Sequence, residues 1–128
     1  MPSYKRPTDA ELDILNVLWT HGPSTVRQVH EQLLSDPPRE YTTILKLMQI
    51  MSAKKLVYRD EKQRAHVYRA AVSGEQVHRK YLTHLLNRAF DNSTSKLVAQ
   101  ALAAKQATPE ELAEIRRMLD ELEGKKDD

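Results

Sequence analysis

The sequence predicts a mainly α-helical chain with one small β-hairpin. Three observations predict it. Apolar residues recur at helical spacing through six separate segments. β-branched and aromatic residues concentrate in two short runs, Val57–Asp60 and His66–Ala70, joined by the polar stretch Glu61–Ala65. The segment leading into those runs, about Tyr41 to Lys55, reads as a helix with a polar outer face. Its surroundings are basic: residues 39–69 hold eight Lys/Arg and three Asp/Glu, a surplus of five. A helix followed by a short basic hairpin is the layout of a winged helix-turn-helix. The helix can enter a DNA major groove while the hairpin reaches the neighbouring backbone.

Each element follows in order. Thr8-Asp9-Ala10-Glu11 reads as a capping box, in which Thr8 accepts from the backbone N–H three residues on and Glu11 reaches back. Behind it, Leu12, Leu15 and Trp19 share a face that Ile14, Val17 and Leu18 widen, so this helix should be central to a core. Gly22-Pro23 stops it. Ser24 or Thr25 caps a short second helix, with Thr25-x-x-Gln28 as a second candidate box. Val26, Val29 and Leu33 form its stripe, and Pro37-Pro38 ends it. In the third helix Ile44, Leu47, Met48 and Met51 should face inward, and Thr42, Thr43, Leu45, Lys46 and Gln49 outward. Leu45 is the apolar residue on this polar face. It is either a single exposed leucine, which is common, or a contact for a thymine methyl. The hairpin connection has no glycine, so it is not the tightest two-residue turn. Lys62 and Arg64 sit at its tip, and Tyr58 and Tyr68 could pair across the strands.

Ser73-Gly74-Glu75-Gln76 opens a fourth helix, striped by Val77, Tyr81, Leu82, Leu85, Leu86 and Phe90, and Asp91–Thr94 breaks it. A fifth carries Leu97, Val98, Ala101 and Leu102. Thr108 caps a sixth, with Pro109 in its first position and Glu110 and Glu111 at its positive end. Leu112, Ile115, Met118, Leu119 and Leu122 line one face of it. Gly124 should end it, leaving Lys125–Asp128 as a frayed tail. The expected domains are thus a winged helix over 1–73 and a three-helix segment over 74–128. So short a segment makes a marginal core alone. Tyr81, Leu85, Leu97, Val98, Leu102, Leu112, Ile115 and Leu119 are expected to pack against a second copy of the chain. Folding back on residues 1–73 is the alternative.

Composition excludes more than it selects. The chain has no cysteine, which removes disulfides, thiolate metal sites and cysteine nucleophiles. No apolar run approaches the roughly 18 residues of a membrane span, and the N-terminus lacks the apolar core of a signal peptide. A cytoplasmic protein with no membrane association is expected. The net charge of +2 says little, but residues 1–72 carry +3 and residues 73–128 carry −1, so the basic excess lies with the helix and hairpin. An ordinary solvated surface would look the same by charge alone. No Gly-rich phosphate loop, His-Glu-x-x-His or Gly-x-Ser-x-Gly is present. The five histidines are scattered, and His78 and His84 do not share a helical face. No enzyme, metal site or cofactor is expected.

Several runs together resemble one family. These are Thr8-Asp9-Ala10-Glu11-Leu12-Asp13-Ile14-Leu15-Asn16-Val17-Leu18-Trp19, Thr25-Val26-Arg27-Gln28-Val29, Tyr41-Thr42-Thr43-Ile44-Leu45, Arg64-Ala65-His66-Val67-Tyr68-Arg69, Leu97-Val98 and Thr108-Pro109-Glu110-Glu111-Leu112. They look like the penicillinase-repressor (BlaI/MecI) family across almost the whole chain. The resemblance implies a bacterial dimeric repressor with an N-terminal winged helix and a C-terminal helical dimerisation domain. It implies binding to palindromic operators, often of β-lactamase or other resistance genes. It also implies a pathway in which a membrane-bound sensor leads to cleavage of the repressor. Four departures stand out. Ile50 occupies a position where the family often has Arg, and Lys46 one where Thr is common, which points to a different operator. Gln100-Ala101 stands where the penicillinase repressors have an Asn-Phe cleavage bond, which argues against cutting there. The cysteine ligands of the copper-responsive relatives are absent.

The resulting expectation is a homodimeric winged-helix repressor that occupies double-stranded operator DNA. Thr42, Thr43, Leu45, Lys46 and Gln49 would face base edges or adjacent phosphates, and Arg39, Lys62 and Arg64 would contact phosphate. The other readings are a regulator of the same fold controlled by a ligand or protein partner, and a winged-helix interaction module that never binds DNA.

Overall fold

A computed structural model describes residues 6–34 and 38–127. The elements are α1 (Asp9–His21), β1 (Ser24–Thr25), α2 (Val26–Gln32), α3 (Tyr41–Ala53), β2 (Val57–Asp60), β3 (Val67–Ala70), α4 (Gly74–Ala89), α5 (Thr94–Ala104) and α6 (Pro109–Asp127). The fold is mainly α with one small antiparallel sheet, as expected. The chain divides into two compact units, Met1–His84 and Leu85–Asp128.

The first unit is a winged helix built around α1. Thr8 caps that helix reciprocally: its Oγ1 accepts from the Glu11 backbone at 3.2 Å, and its own N–H donates to Glu11 Oε1 at 2.9 Å. Gly22, at φ 82°, closes the other end by donating to the Leu18 carbonyl at 2.9 Å. That left-handed backbone is one glycine adopts without a Cβ clash. Ile14 and Leu15 of α1, Val29 of α2, and Ile44, Met48 and Met51 of α3 are fully buried together with Leu56. Each such side chain contributes about 1.5–3 kcal/mol through loss of apolar surface to water.

The sheet runs β1-β3-β2. The two-residue β1 was not expected. Ser24 pairs with Tyr68 and Thr25 with Val67, so the chain joins the sheet for two residues immediately before α2. Thr25 then also caps α2 through the expected box with Gln28. Tyr58 and Tyr68 do not pair. The register sets Tyr58 opposite Arg69 and Arg59 opposite Tyr68. Strand side chains alternate between faces, so Tyr68 is buried in the core while Tyr58 is exposed on the other face.

The break between units falls inside α4, not at the 73/74 boundary expected from the sequence. The first turns of α4 belong to the winged-helix core. Val77 is fully buried. The Trp19 indole donates to the Val72 carbonyl at 2.9 Å and meets His78 edge to face. Tyr81, expected at a subunit interface, packs on this core, donates its hydroxyl to the Pro7 carbonyl at 2.5 Å and lies beneath the Arg6 guanidinium. Burial, and then the Asp9 carboxylate, push the Tyr81 phenol above its ordinary pKa, which keeps it a donor.

The second unit comprises the end of α4, α5 and α6. Asp91 and Asn92 both adopt positive φ, and the Asn92 N–H bonds the Leu86 carbonyl at 2.8 Å, so the chain reverses tightly. Ser93 caps α5, and Thr108 with Glu111 forms a reciprocal cap for α6. The last helix continues through Gly124 to Asp127, so that glycine does not stop it. Its φ is not in the left-handed region a terminating glycine adopts. Pro37, half of the expected Pro-Pro stop after α2, and Asp128 of the expected tail lie outside the described residues.

Candidate nucleic-acid interface

The site is built on the outer face of α3. Residues 42, 46 and 49 lie along one line of the helix, with 43 and 50 on its flank. Thr42, Thr43, Lys46, Gln49 and Ile50 are all exposed, while Ile44, Met48 and Met51 anchor the opposite face in the core. Four of the residues expected outward therefore share one surface. Leu45 does not join them fully. It is half-buried, packs against the core and lines a separate groove.

That groove runs between α2, the start of α3 and the wing. Arg27, His30, Leu45, Arg64 and His66 are among the residues that line it. Arg64 thus faces back toward α2 from the hairpin connection. Lys62 lies on the other side of the wing, beside Tyr58, Arg59 and Arg69. The Asp60 carboxylate accepts from the Lys62 backbone N–H at 3.0 Å and shapes the turn. Among the described residues, the side chains of Arg27, Lys46, Lys62 and Arg64 have no hydrogen-bond or ion-pair partner. Unneutralised cations on α2, α3 and the wing are available to an anion such as phosphate.

Arg39, expected to contact phosphate, is held by contacts within the first unit. Its guanidinium meets Asp13 at 2.9 Å, and its carbonyl oxygen lies 3.0 Å from His30 Nε2. The His30 ring also meets Tyr41 edge to face. These contacts tie the segment entering α3 to α1 and α2, so Arg39 positions the helix. At the far end of α3, Lys54 Nζ bonds Glu11 Oε2 at 2.8 Å, and Glu11 is buried. Burial alone would raise the Glu11 pKa. The bonds from Lys54 and the Thr8 backbone outweigh it, and the carboxyl titrates below its ordinary value. Both ends of α3 are therefore fastened to α1 by ion pairs, one half-buried and one buried on its acidic side.

Arg27 is a basic residue that was not expected at the site. It stands two residues after the Thr25 cap, on the helix that in a helix-turn-helix crosses the DNA backbone. That offset was the available signal. Of the residues expected to meet a second copy, Leu85, Val98, Leu102 and Leu119 are exposed, and Leu97, Leu112 and Ile115 are half-buried. Among the described residues, no set of three or more His, Asp or Glu gathers where a metal ion could bind, and no helix is long and apolar enough to cross a membrane.

An exposed polar helix face, fixed at both ends and flanked by a basic wing, defines a winged helix-turn-helix of the nucleic-acid-reading type. The family model for the penicillinase repressor matches residues 7–121. The chain is also similar to the protein named transcriptional regulator BlaI in two strains of Mycobacterium tuberculosis, CDC 1551 / Oshkosh and ATCC 25618 / H37Rv. In each case 32% of 124 residues are identical, covering 96% of this chain and 89% of the relative. The chain belongs to the penicillinase repressor family, whose members are transcriptional regulators and not enzymes.

Proposed function

We propose that this chain is a cytoplasmic, dimeric repressor that binds double-stranded palindromic operator DNA and thereby excludes polymerase. The observation that carries the reading is the exposed face of α3, where Thr42, Thr43, Lys46 and Gln49 stand together, followed in the chain by a hairpin connection that exposes the cations Lys62 and Arg64. Thr and Gln side chains can donate and accept at base edges, and Lys can reach a guanine or a phosphate. Arg27 and Arg64 line one groove beside this face and would hold the backbone in register. Family membership supports the same reading.

Dimerisation is supported by the second unit. Val98, Leu102, Met118, Leu119 and Leu122 are between 41% and 63% exposed. None of the described residues of α5 and α6 is buried. Two helices with bare apolar faces need a covering surface, and a second copy presents the matching one by symmetry. Two linked winged helices would then read two half-sites, which sets the palindrome.

The family's description makes penicillinase and other resistance genes the first targets to examine. If a sensor protease acts on this repressor, cutting at Gln100-Ala101 within α5 would require local unfolding of that helix. The test is a mobility shift with sheared genomic DNA and the full-length protein, followed by sequencing of the retained fragments. The reading predicts enrichment of fragments sharing a palindrome. Retention without sequence preference, or no retention, would contradict it.

A further inference from the structure

We propose that Ile50 reads thymine methyl groups, so that α3 recognises its operator partly through apolar contact; this rests on the DNA-binding reading above. Thr43, Lys46, Leu47 and Ile50 stand at i, i+3, i+4 and i+7 and so are neighbours along one flank of the helix. Together with Thr42 they line a shallow depression on the protein surface. Ile50 is 39% exposed and is absent from the core cluster. Leu47, beside it, is half-buried against that core. Aliphatic carbon is thus concentrated at one point on a surface otherwise made of Thr, Lys and Gln.

The chemistry of the depression narrows what fits it. Ile50 has no donor or acceptor, so it cannot read the nitrogen or oxygen edge of a base. The only apolar group that base pairs display in the major groove is the thymine 5-methyl. Lys46 lines the same depression, and Lys62 and Arg64 extend the positive charge onto the wing. An occupant must therefore combine negative charge with a small apolar projection. A·T pairs within a phosphate backbone provide both, whereas an apolar ridge on a protein partner would leave the lysines uncompensated. Leu45, the residue that would suggest itself from sequence as the methyl contact, faces another groove beside Arg27 and Arg64.

The experiment begins by selecting a tight binding sequence from random duplex DNA with the full-length protein. Each thymine of that sequence is then replaced singly by deoxyuridine, which removes only the methyl group. Affinities are measured for wild type, Ile50→Ala, Ile50→Val and Leu45→Ala. Burial of one methyl predicts about fourfold weaker wild-type binding at one or more uracil positions. Ile50→Ala should be weaker on thymine DNA by a similar factor and indifferent to uracil at those positions. Ile50→Val should retain part of the sensitivity, and Leu45→Ala all of it. Ile50 is exposed, so a circular dichroism melt should show each position-50 variant folded. Uracil effects that persist undiminished in Ile50→Ala, or no uracil effect at any thymine, would overturn the proposal while leaving DNA binding intact. Failure to select any sequence would overturn the DNA-binding reading itself, and this proposal with it.

Discussion

α1 and α6 carry apolar stripes of the same kind, yet Ile14 and Leu15 of α1 are 0% exposed while Leu119 and Leu122 of α6 are 52% and 63% exposed. The difference lies in what surrounds each helix. α1 is covered by α2, α3 and the sheet within its own unit. α6 belongs to a unit of two complete helices and the end of a third, too few to enclose any side chain. A stripe read from a sequence therefore locates a face without saying what covers it. In the first unit the cover is the same chain. In the second, we propose that it is another copy.

Breaking the second unit's face should have the largest effect. Leu85→Asp with Leu119→Asp places charge on two exposed leucines, one on α4 and one on α6. The paired substitution should convert a sedimenting dimer to monomer at micromolar concentration. It should also weaken operator binding by about 10²–10⁴-fold, because the second half-site is no longer tethered. A wild-type chain that already sediments as a monomer would remove this half of the comparison.

Removing a buried side chain from the first unit comes next. Leu15→Ala should cost about 2–5 kcal/mol in chemical denaturation, through lost burial and the cavity left behind. Leu122→Ala, measured on a monomeric variant, should cost far less, since Leu122 is mostly in water already. Equal costs would mean that the two faces are covered alike.

Acid sharpens the contrast further, because the buried carboxylate Glu11 lies in the first unit. Its pKa in the folded protein is lowered from 4.5. The stability it contributes is therefore fully present above the unfolded value and is lost as pH falls through the lower folded one. Urea midpoints of wild type should fall across that window more steeply than those of Glu11→Gln, which has no carboxylate to titrate there. Parallel curves would show that the Lys54–Glu11 pair does not fasten α3 to α1.

The smallest effect concerns the wing. Lys62→Ala with Arg64→Ala should leave folding unchanged, since neither side chain is buried. It should flatten the dependence of log affinity on log salt by about 0.9 for each phosphate that the wing no longer neutralises. An unaltered slope would take the wing out of the interface.

Much of the first unit was legible because its signals are local. The Thr8 and Thr25 boxes, the Gly22 stop and the buried stripe of α3 each depend on residues within a turn or two of one another. What escaped depends on distance along the chain. Strand β1 exists only because Ser24 and Thr25 reach Tyr68 and Val67. Arg39 looked free until the fold brought Asp13 to it. Tyr81 carried an amphipathic helix pattern that fits a subunit interface equally well, and its packing on the first unit's core and its bond to Pro7 appear only in the fold. In the candidate site, Thr42, Thr43, Lys46 and Gln49 follow from helical period alone. The grouping of Ile50 with Lys46 follows from the same period, since both line one depression on α3, whereas the separation of Leu45 from them depends on where the wing and α2 lie.

The central claim is that the outer face of α3 reads base sequence. It is tested most directly by fluorescence anisotropy with Gln49→Ala and Thr43→Ala, each titrated against the selected operator and against a scrambled duplex at one salt concentration. If these side chains reach base edges, each substitution should weaken operator binding by about 1–3 kcal/mol and leave binding to scrambled DNA nearly unchanged. Wild-type affinity of both variants for the operator, or an equal loss on both duplexes, would contradict the claim.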